Sequence, residues 1–352
     1  MQSATIRIGL IGSGFMGRTH AAAIEAAPGA TLIAVSGGSR ATGLAADYSV
    51  DYEAEIPELI QRSDLDAVVI STPHHLHFEA AKQAAYDGKH CLVEKPLATT
   101  VEHCDELIAA YENRKLVLAV GYHQRFRESN AVVHRLVQQG AIGKIRCIQM
   151  SALFDITALR SQDGFGGKWD WWTDPQSKAH IMNSAPHNID LCRWWLGSDV
   201  VTVTAHCGTF REDNPNENTT MALWTFADGT MASFWSSSVL PAPGFDDQDF
   251  KFRLMGDTGI IDASPFGKIR LARDGKWESV YEQPPVPLED PDQAFVSPAR
   301  IQAYSDQIQA FVDRIHGRDS LCGTAADGRH AVAAIVGMLD SATRGQVVSV
   351  SG

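Results

Sequence analysis

An apolar strand that runs directly into a glycine-rich turn is the feature that most restricts how this chain can fold. Ile6–Ile11 reads as a buried strand, Gly12-Ser13-Gly14-Phe15-Met16-Gly17 follows at once, and an alanine-rich helical stretch comes next. Gly12 suits a tight turn, Gly14 lets backbone approach a pyrophosphate, and Gly17 lets the helix lie close to the strand. Because the helix N-terminus offers N–H groups to phosphate charge, this order of elements predicts a dinucleotide-binding site.

Strand and helix patterns alternate from residue 5 to about residue 122, which predicts a parallel sheet covered on both faces. Beyond Arg125, β-type segments dominate, and the turn Ala227-Asp228-Gly229 between two alternating runs predicts a hairpin. We therefore expect an α/β protein with an N-terminal Rossmann doubly wound parallel sheet and a C-terminal α+β domain with a large open, mostly antiparallel sheet. The expected domains are residues 1–124 for dinucleotide binding, 125–298 for substrate binding and oligomerisation, and 299–352 for C-terminal helices that pack back on the N-terminal domain.

Composition and charge exclude several classes of function. The 352 residues carry a formal net charge of −12 with no basic run, which argues against nucleic-acid binding. No stretch approaches the about 18 consecutive apolar residues of a membrane span, and the first strand leaves no room for a secretory signal, so a cytoplasmic location is expected. The six cysteines are scattered, and the group His74, His75 and His77 lacks the spacing and the further ligands of a metal site. We expect no metal.

The segment after the second predicted strand bears on the choice of dinucleotide. An acidic side chain at this position selects NAD by binding the ribose 2′-hydroxyl. This chain has Ser36-Gly37-Gly38-Ser39-Arg40 there, with no carboxylate. Small hydroxyls and an arginine suit a 2′-phosphate, because a guanidinium and a phosphate pair in a bidentate way. The alternative is that Arg40 is a solvated residue in the first turn of the next helix. The expected cofactor is NADP or NAD, with NADP favoured.

Cys91-Leu92-Val93-Glu94-Lys95-Pro96-Leu97 places a lysine at the C-terminal end of a parallel strand, where ligands bind in open α/β sheets. The following proline restricts the backbone, and the Lys95-Pro96 bond could be cis. A lysine at an exposed strand end is usually solvated surface. The expected nicotinamide beside Lys95 favours a functional role instead.

Several motifs together identify a resemblance to a known family. The glycine turn, Thr72-Pro73, Glu94-Lys95-Pro96, Gly121–Phe126 and Gly143-Lys144-Ile145 resemble the glucose-fructose oxidoreductase, inositol dehydrogenase and rhizopine-catabolism (Gfo/Idh/MocA) family over essentially the whole chain. The resemblance implies a Rossmann domain for NAD(P), a second domain for a sugar, polyol or sugar derivative, and a catalytic role for Lys95. The expected cofactor-binding residues are Gly12, Gly14, Phe15, Met16, Gly17, Ser36, Ser39, Arg40, Thr72, Pro73, His77, Glu94, Lys95 and Gln124.

The second half of the family's site resembles the segment from Ser177 to Asp190. His187 and Asp190 match the family pattern, Asn183 stands where many members carry aspartate, and Ser177, Lys178 and Ala179 replace a glycine triplet. Spacings of four and three residues put Asn183, His187 and Asp190 on one helical face. The alternative for His187 is a hydrogen-bonded core or cap histidine.

The resulting hypothesis is reversible hydride transfer between nicotinamide and a secondary hydroxyl. His187 acts as general base, because an imidazole titrates near neutral pH, and Lys95 stabilises negative charge on the oxygen. Asn183 can orient the base but cannot stabilise an imidazolium as a carboxylate would. Lys95 is the fallback base.

The substrate is expected to be carbohydrate-like. All eight tryptophans lie beyond residue 165, and aromatic faces suit the C–H face of a sugar ring. We expect Trp194, Trp195, Trp224 and Trp235 in the core. For the Trp169–Trp172 cluster a ligand-lining loop and a core position are equally open. The expected substrate-binding residues are Lys95, His123, Trp169, Trp172, Asn183, His187 and Asp190.

Three other functions stay open at this point. They are a redox-neutral, NAD-dependent glycoside hydrolase acting by transient oxidation and elimination, a dihydrodiol-type dehydrogenase, and an inactive dinucleotide-binding regulator. The apolar face expected on the second sheet also predicts a homodimer or a homotetramer.

Overall fold

The computed structural model describes residues 4–155, 170–210, 216–245, 250–283 and 298–351. These residues form two compact units. The first holds residues 4–126 and 298–329, and the second holds the described residues of 127–283 together with 330–351. The helices are α1 (Phe15–Ala26), α2 (Ala41–Tyr48), α3 (Ile56–Gln61), α4 (His77–Tyr86), α5 (Val101–Glu112), α6 (Glu128–Gln138), α7 (Ala179–Leu196), α8 (Pro298–Ile315) and α9 (Ala325–Arg344).

The first unit is built on a seven-stranded sheet. Its strands are β1 (Ile6–Ile11), β2 (Ala30–Ser36), β3 (Asp51–Glu53), β4 (Ala67–Ile70), β5 (His90–Val93), β6 (Leu118–Val120) and β15 (Gly323–Thr324). The order is β15-β6-β5-β4-β1-β2-β3, and all neighbours are parallel except β15 with β6. The expected Rossmann sheet is therefore confirmed, with the C-terminal ends of β1 and β4 side by side at its centre.

The core of the first unit explains why these segments form strands and helices. Ile8 and Leu10 of β1 are fully buried, as parallel strands covered on both faces require. Helix α8 packs on α1 and contributes Ile308 and Phe311 to the same hydrophobic cluster. Burying such side chains stabilises the unit by about 1.5 to 3 kcal/mol each.

The second unit carries a nine-stranded sheet. The strands are β7 (Ile145–Leu153), β8 (Val200–Gly208), β9 (Thr219–Phe226), β10 (Met231–Ser237), β11 (Phe250–Gly256), β12 (Gly259–Ala263), β13 (Lys268–Arg273), β14 (Lys276–Glu282) and β16 (Val348–Ser349). The order is β14-β13-β12-β11-β7-β10-β9-β8-β16, and all neighbours are antiparallel except β7 with β10. The open, mostly antiparallel sheet is confirmed, as is the β9–β10 hairpin.

The two faces of this sheet differ. One face is buried: Trp224 of β9 lies on it, and Trp195 of α7 packs against Phe252 of β11, so both tryptophans are in the core as expected. The expectation is wrong for Trp235, which is 39 % exposed, because side chains alternate between faces along a strand and Trp235 points to the other one. Trp194 is half-buried and stacks on His134.

The C-terminal helices divide between the units. Helix α8 packs on α1 of the first unit. From His330 onwards, α9 groups with the second unit instead. There the Trp224 Nε1–H donates to Met338 Sδ at 3.1 Å, and Ser341 Oγ accepts the Ala205 N–H at 3.0 Å.

Candidate active site

The glycine turn after β1 fits a pyrophosphate. Gly12 has a φ of 111°, in the left-handed region, and an added Cβ would lie 2.8 Å from the Ser71 carbonyl oxygen. A Cβ on Gly17 would overlap the Gly12 carbonyl oxygen. At Gly14 no atom lies within 4 Å of an added Cβ, so the turn is open on that side. Among the described residues α1 has no capping side chain and no acidic residue in its first turn, so the helix end suits an anion.

Phe15 and Met16, in the first turn of α1, contact an arginine from α8. The Arg300 guanidinium lies 4.9 Å from the Phe15 ring centroid and donates to Met16 Sδ at 3.8 Å. This cation beside the glycine turn is separated from it by 284 residues in the chain, and no local sequence signal points to it.

The loop after β2 has no carboxylate of its own. Ser36 is fully buried, Gly37 and Gly38 have φ values of 80° and 86°, and the side chains of Ser39 and Arg40 are exposed. The Arg40 N–H donates to Ser13 Oγ at 3.2 Å, which ties this loop to the glycine turn.

Strand β3, which the sequence did not reveal, places an acidic residue next to this loop. Glu53 lies beside Ser36 in the β2–β3 register. Its carboxylate accepts from Arg62 Nη1 at 2.8 Å, and the same guanidinium also donates to Asp51 and Asp64.

Thr72 and Pro73 begin the loop after β4, at the same edge of the sheet. A cleft of about 460 Å³ beside them is lined by apolar and polar side chains from the loop, α3 and α4, among them Ile56, Leu76 and Gln83. The sequence did not point to these lining residues, because a single Ile, Leu or Gln carries no chemical signal. His77 is fully buried, and its ring nitrogens face the carbonyl oxygens of Pro96 and Thr72, so it links two loops within the protein.

Lys95 follows the C-terminal end of β5, and the Lys95-Pro96 bond is cis. Burial lowers the pKa of Lys95 to about 8, while the neighbouring Glu94 carboxylate raises it. Glu94 is itself buried and lies 2.8 Å from His20 Nε2. Perturbed pKa values of this kind are typical of functional lysines.

His123 and Gln124 are buried in the first unit. His123 stacks on Tyr304 of α8 with ring centroids 4.2 Å apart, and its Nε2 lies 3.3 Å from the Tyr304 hydroxyl. His20 packs edge-on against the same tyrosine ring, with centroids 5.5 Å apart. Tyr304 therefore joins two histidines in the core of the unit.

Helix α7 of the second unit carries Asn183, His187 and Asp190. Asn183 and His187 are half-buried, whereas Asp190 is 1 % exposed. Their spacing places them on one face of the helix. Near its start, His180 is buried with Nε2 3.2 Å from Ser236 Oγ, and burial lowers the pKa of His180 to about 4.

The two candidate tryptophans have different outcomes. Trp172 is 1 % exposed and packs edge-on against Phe154, with ring centroids 6.1 Å apart. The structure thus gives Trp172 a position in the core of the second unit. Trp169 lies outside the described residues.

Two family models match the chain. Residues 6–122 match the oxidoreductase family with an NAD-binding Rossmann fold, and residues 131–262 match the GFO/IDH/MocA C-terminal domain. The chain belongs to the Gfo/Idh/MocA family. This Gfo/Idh/MocA member is accordingly an oxidoreductase with an NAD-binding domain.

Similar proteins include two inositol 2-dehydrogenases. Inositol 2-dehydrogenase 1 of Saccharopolyspora erythraea is 32 % identical over 212 residues, which cover 57 % of this chain and 58 % of that protein. Inositol 2-dehydrogenase of Rhizobium meliloti is 25 % identical over 349 residues, which cover 97 % and 96 %. A solved levoglucosan dehydrogenase in complex with NADH and levoglucosan has the same fold, with a TM-score of 0.83, 23 % identity and coverage of 99 % and 100 %.

Two further findings concern the described part of this Gfo/Idh/MocA chain. None of its helices combines the length and the hydropathy that crossing a membrane requires. No cluster of three or more His, Cys, Asp or Glu side chains there has an arrangement that would hold a metal ion.

Proposed function

We propose that this protein is an NAD(P)-dependent dehydrogenase that transfers a hydride between nicotinamide and a secondary hydroxyl of a sugar, polyol or sugar derivative. The observation that carries the proposal is Lys95, a partly buried lysine with a lowered pKa at the end of a central strand of a family-typical NAD-binding sheet. The similarity to inositol and levoglucosan dehydrogenases supports a polyol or sugar substrate. Those similarities favour this function over the glycoside hydrolase, the dihydrodiol dehydrogenase and the inactive regulator.

The chemistry divides between Lys95 and the face of α7. When bound, nicotinamide would supply the hydride acceptor, so that the hydrogen on the carbinol carbon departs together with its electron pair. His187 takes the hydroxyl proton, and a carbonyl forms. Lys95, as an ammonium, donates a hydrogen bond to the substrate oxygen and stabilises the negative charge that develops there. Asn183 orients the substrate or His187, and buried Asp190 supplies negative charge near that base.

The dinucleotide would lie along the C-terminal edge of the first sheet. Gly12, Gly14 and Gly17 with the N-terminus of α1 would hold its pyrophosphate. Ser36, Ser39 and Arg40 would face the ribose, and Thr72 and Pro73 would line the adenosine cleft. Phe15, Met16, Glu94 and Gln124 would support these contacts, whereas His77, which is fully buried with both ring nitrogens against protein carbonyl oxygens, would not contact the dinucleotide itself.

The second sheet would join copies of this chain in a homodimer or homotetramer. Met221, Leu223, Met231 and Trp235 are exposed on neighbouring strands of the hairpin. An apolar face of this kind is typical of a protein interface.

The proposed location of the enzyme is cytoplasmic.

A substrate panel tests the function. Inositols, levoglucosan, aldoses, sugar acids and glycosides would be incubated with NAD or NADP while reduced cofactor and products are measured. We expect stoichiometric reduced cofactor and carbonyl product with at least one polyol or sugar. We also expect Lys95→Ala and His187→Ala each to lower kcat by about 100-fold or more. Glycoside cleavage without net cofactor reduction would contradict the proposal.

A further inference from the structure

Lys95 lies between Glu94 and Pro96, and each of these two residues contacts a buried histidine. Glu94, before it, contacts His20 of α1, and Pro96, after it, contacts His77 of α4. Both histidines are 0 % exposed. They come from two different helices of the first unit, so the segment is held from both sides.

The contact on the Glu94 side is a short, buried one. His20 Nε2 lies 2.8 Å from Glu94 Oε1, and the other carboxylate oxygen accepts the Lys95 backbone N–H at 3.2 Å. The carboxylate therefore connects α1 to the backbone of Lys95 itself. Gly121 makes room for it, since an added Cβ there would lie 3.1 Å from Glu94 Cδ.

The contact on the Pro96 side joins two loops. His77 Nδ1 lies 2.7 Å from the Pro96 carbonyl oxygen, and Nε2 lies 2.9 Å from the Thr72 carbonyl oxygen. A neutral imidazole donates to one of these carbonyls, whereas an imidazolium donates to both. His77 thus ties the backbone next to Lys95 to the loop at the adenosine cleft.

We propose that His20 and His77 are positioning residues that fix the Lys95 backbone from both sides, so that its ammonium meets the substrate hydroxyl. This inference rests on the proposed function. A lysine side chain has a flexible four-carbon stem, so the position of its ammonium group is well defined only where its backbone is fixed. A misplacement of about 1 Å at a catalytic group can lower a rate by about 100-fold.

His20 and His77 use different ring nitrogens for these contacts, so each histidine has one substitution that keeps its hydrogen bond and one that loses it. Asparagine places an amide N–H near the position of Nδ1, and glutamine places one near Nε2. His20→Gln and His77→Asn therefore keep the hydrogen bonds to Glu94 and Pro96, whereas His20→Asn and His77→Gln lose them. His90→Asn is the matched control, because His90 lies at the opposite end of β5 and Nδ1 accepts the Val117 N–H.

The first measurement is steady-state kinetics with dinucleotide affinity. We expect His20→Asn and His77→Gln to lower kcat at least about tenfold while the dinucleotide Kd changes less than about threefold. His20→Gln, His77→Asn and His90→Asn should stay within about threefold of the wild-type kcat. Equal losses of kcat in all four variants of His20 and His77, or unchanged kcat in His20→Asn and His77→Gln, would overturn the inference.

The second measurement does not depend on turnover. The rate at which acetic anhydride labels Lys95 is followed against pH by peptide mass spectrometry. The wild-type midpoint is expected near the Lys95 pKa of about 8. In His20→Asn and His77→Gln it should move upwards, because the released ammonium gains solvent. Unchanged midpoints would overturn the inference. If the wild-type enzyme turned over no substrate, the proposed function would fail while this measurement still decided the positioning role.

Discussion

Gly17 packs so closely against Gly12 that a side chain at residue 17 would overlap the Gly12 carbonyl oxygen. Gly14, between them, has open space where a Cβ would be. The same substitution therefore has different consequences at the two positions.

Gly17→Ala should lower stability by about 1 to 3 kcal/mol, because the turn must open. Gly14→Ala should leave the melting temperature unchanged and weaken NAD binding about tenfold, since the methyl group would occupy pyrophosphate space. Thermal melts measure the stability of both variants, and fluorescence titration with NADH measures their dinucleotide affinity. A lowered melting temperature of Gly14→Ala would contradict the proposed pyrophosphate site.

The pH dependence of turnover tests the role of Lys95. Burial lowers its pKa to about 8, so the ammonium is present below that pH and is lost above it. If the ammonium stabilises the substrate oxygen, kcat/KM should fall as pH rises through about 8. Lys95→Arg should remove that limb, because arginine stays charged. A rise of kcat/KM through the same pH would identify Lys95 as the base instead.

Arg40 tests the choice between NAD and NADP. Arg40 is exposed in the loop after Ser36, and this loop has no carboxylate of its own, so the guanidinium is the charge that would pair with a 2′-phosphate. Arg40→Ala should lower kcat/KM for NADP about tenfold and leave the value for NAD within about twofold. Arg18→Ala, which removes an exposed arginine of α1, is the control. Equal effects of Arg40→Ala on both cofactors would contradict a contact with the phosphate.

Glu217 should make the second unit less stable as pH rises. Burial raises its pKa from 4.5 to about 7, although the Ile181 N–H donates to its carboxyl at 2.8 Å. Between pH 4.5 and about 7 the folded chain therefore keeps a proton on Glu217 that the unfolded chain loses. The contribution of protonated Glu217 to the free energy of unfolding is complete below pH 4.5 and is lost as pH rises through about 7. Glu217→Gln should therefore stabilise the protein by about 1 to 3 kcal/mol at pH 8, and not at pH 4.5. Melting temperatures at both pH values, with the exposed Glu278→Gln as control, check this. The same gain at both pH values would contradict it.

The exposed face of the second sheet should decide the oligomeric state. Leu223 is 62 % exposed among other apolar side chains of β9 and β10, and Leu321, in the first unit, is 52 % exposed. Leu223→Lys should shift the protein towards monomer in analytical ultracentrifugation, whereas Leu321→Lys should not, because a charge buried in an apolar interface is unfavourable. A wild-type monomer, or the same shift in both variants, would contradict the interface.

Local patterns predicted the parts of the fold that depend on neighbouring residues. The strand Ile6–Ile11 was predicted with its observed bounds, and the β9–β10 hairpin followed from its Asp-Gly turn. Strand β3 was missed, because a three-residue strand is stabilised by pairing with β2 and has no periodicity of its own. The exposure of Trp235 was missed because a tryptophan in a strand fits either face.

By itself, the sequence determined the dinucleotide fold, the family and the lysine that follows β5, because these depend on glycines and motifs that lie close together in the chain. The tertiary structure alone decided what surrounds that lysine. His20 and Glu94 are 74 residues apart, and His77 reaches a carbonyl 19 residues away. Such contacts arise only when helices pack on the sheet, because histidine spacing in the chain carries no information about which carbonyl or carboxylate each imidazole will meet.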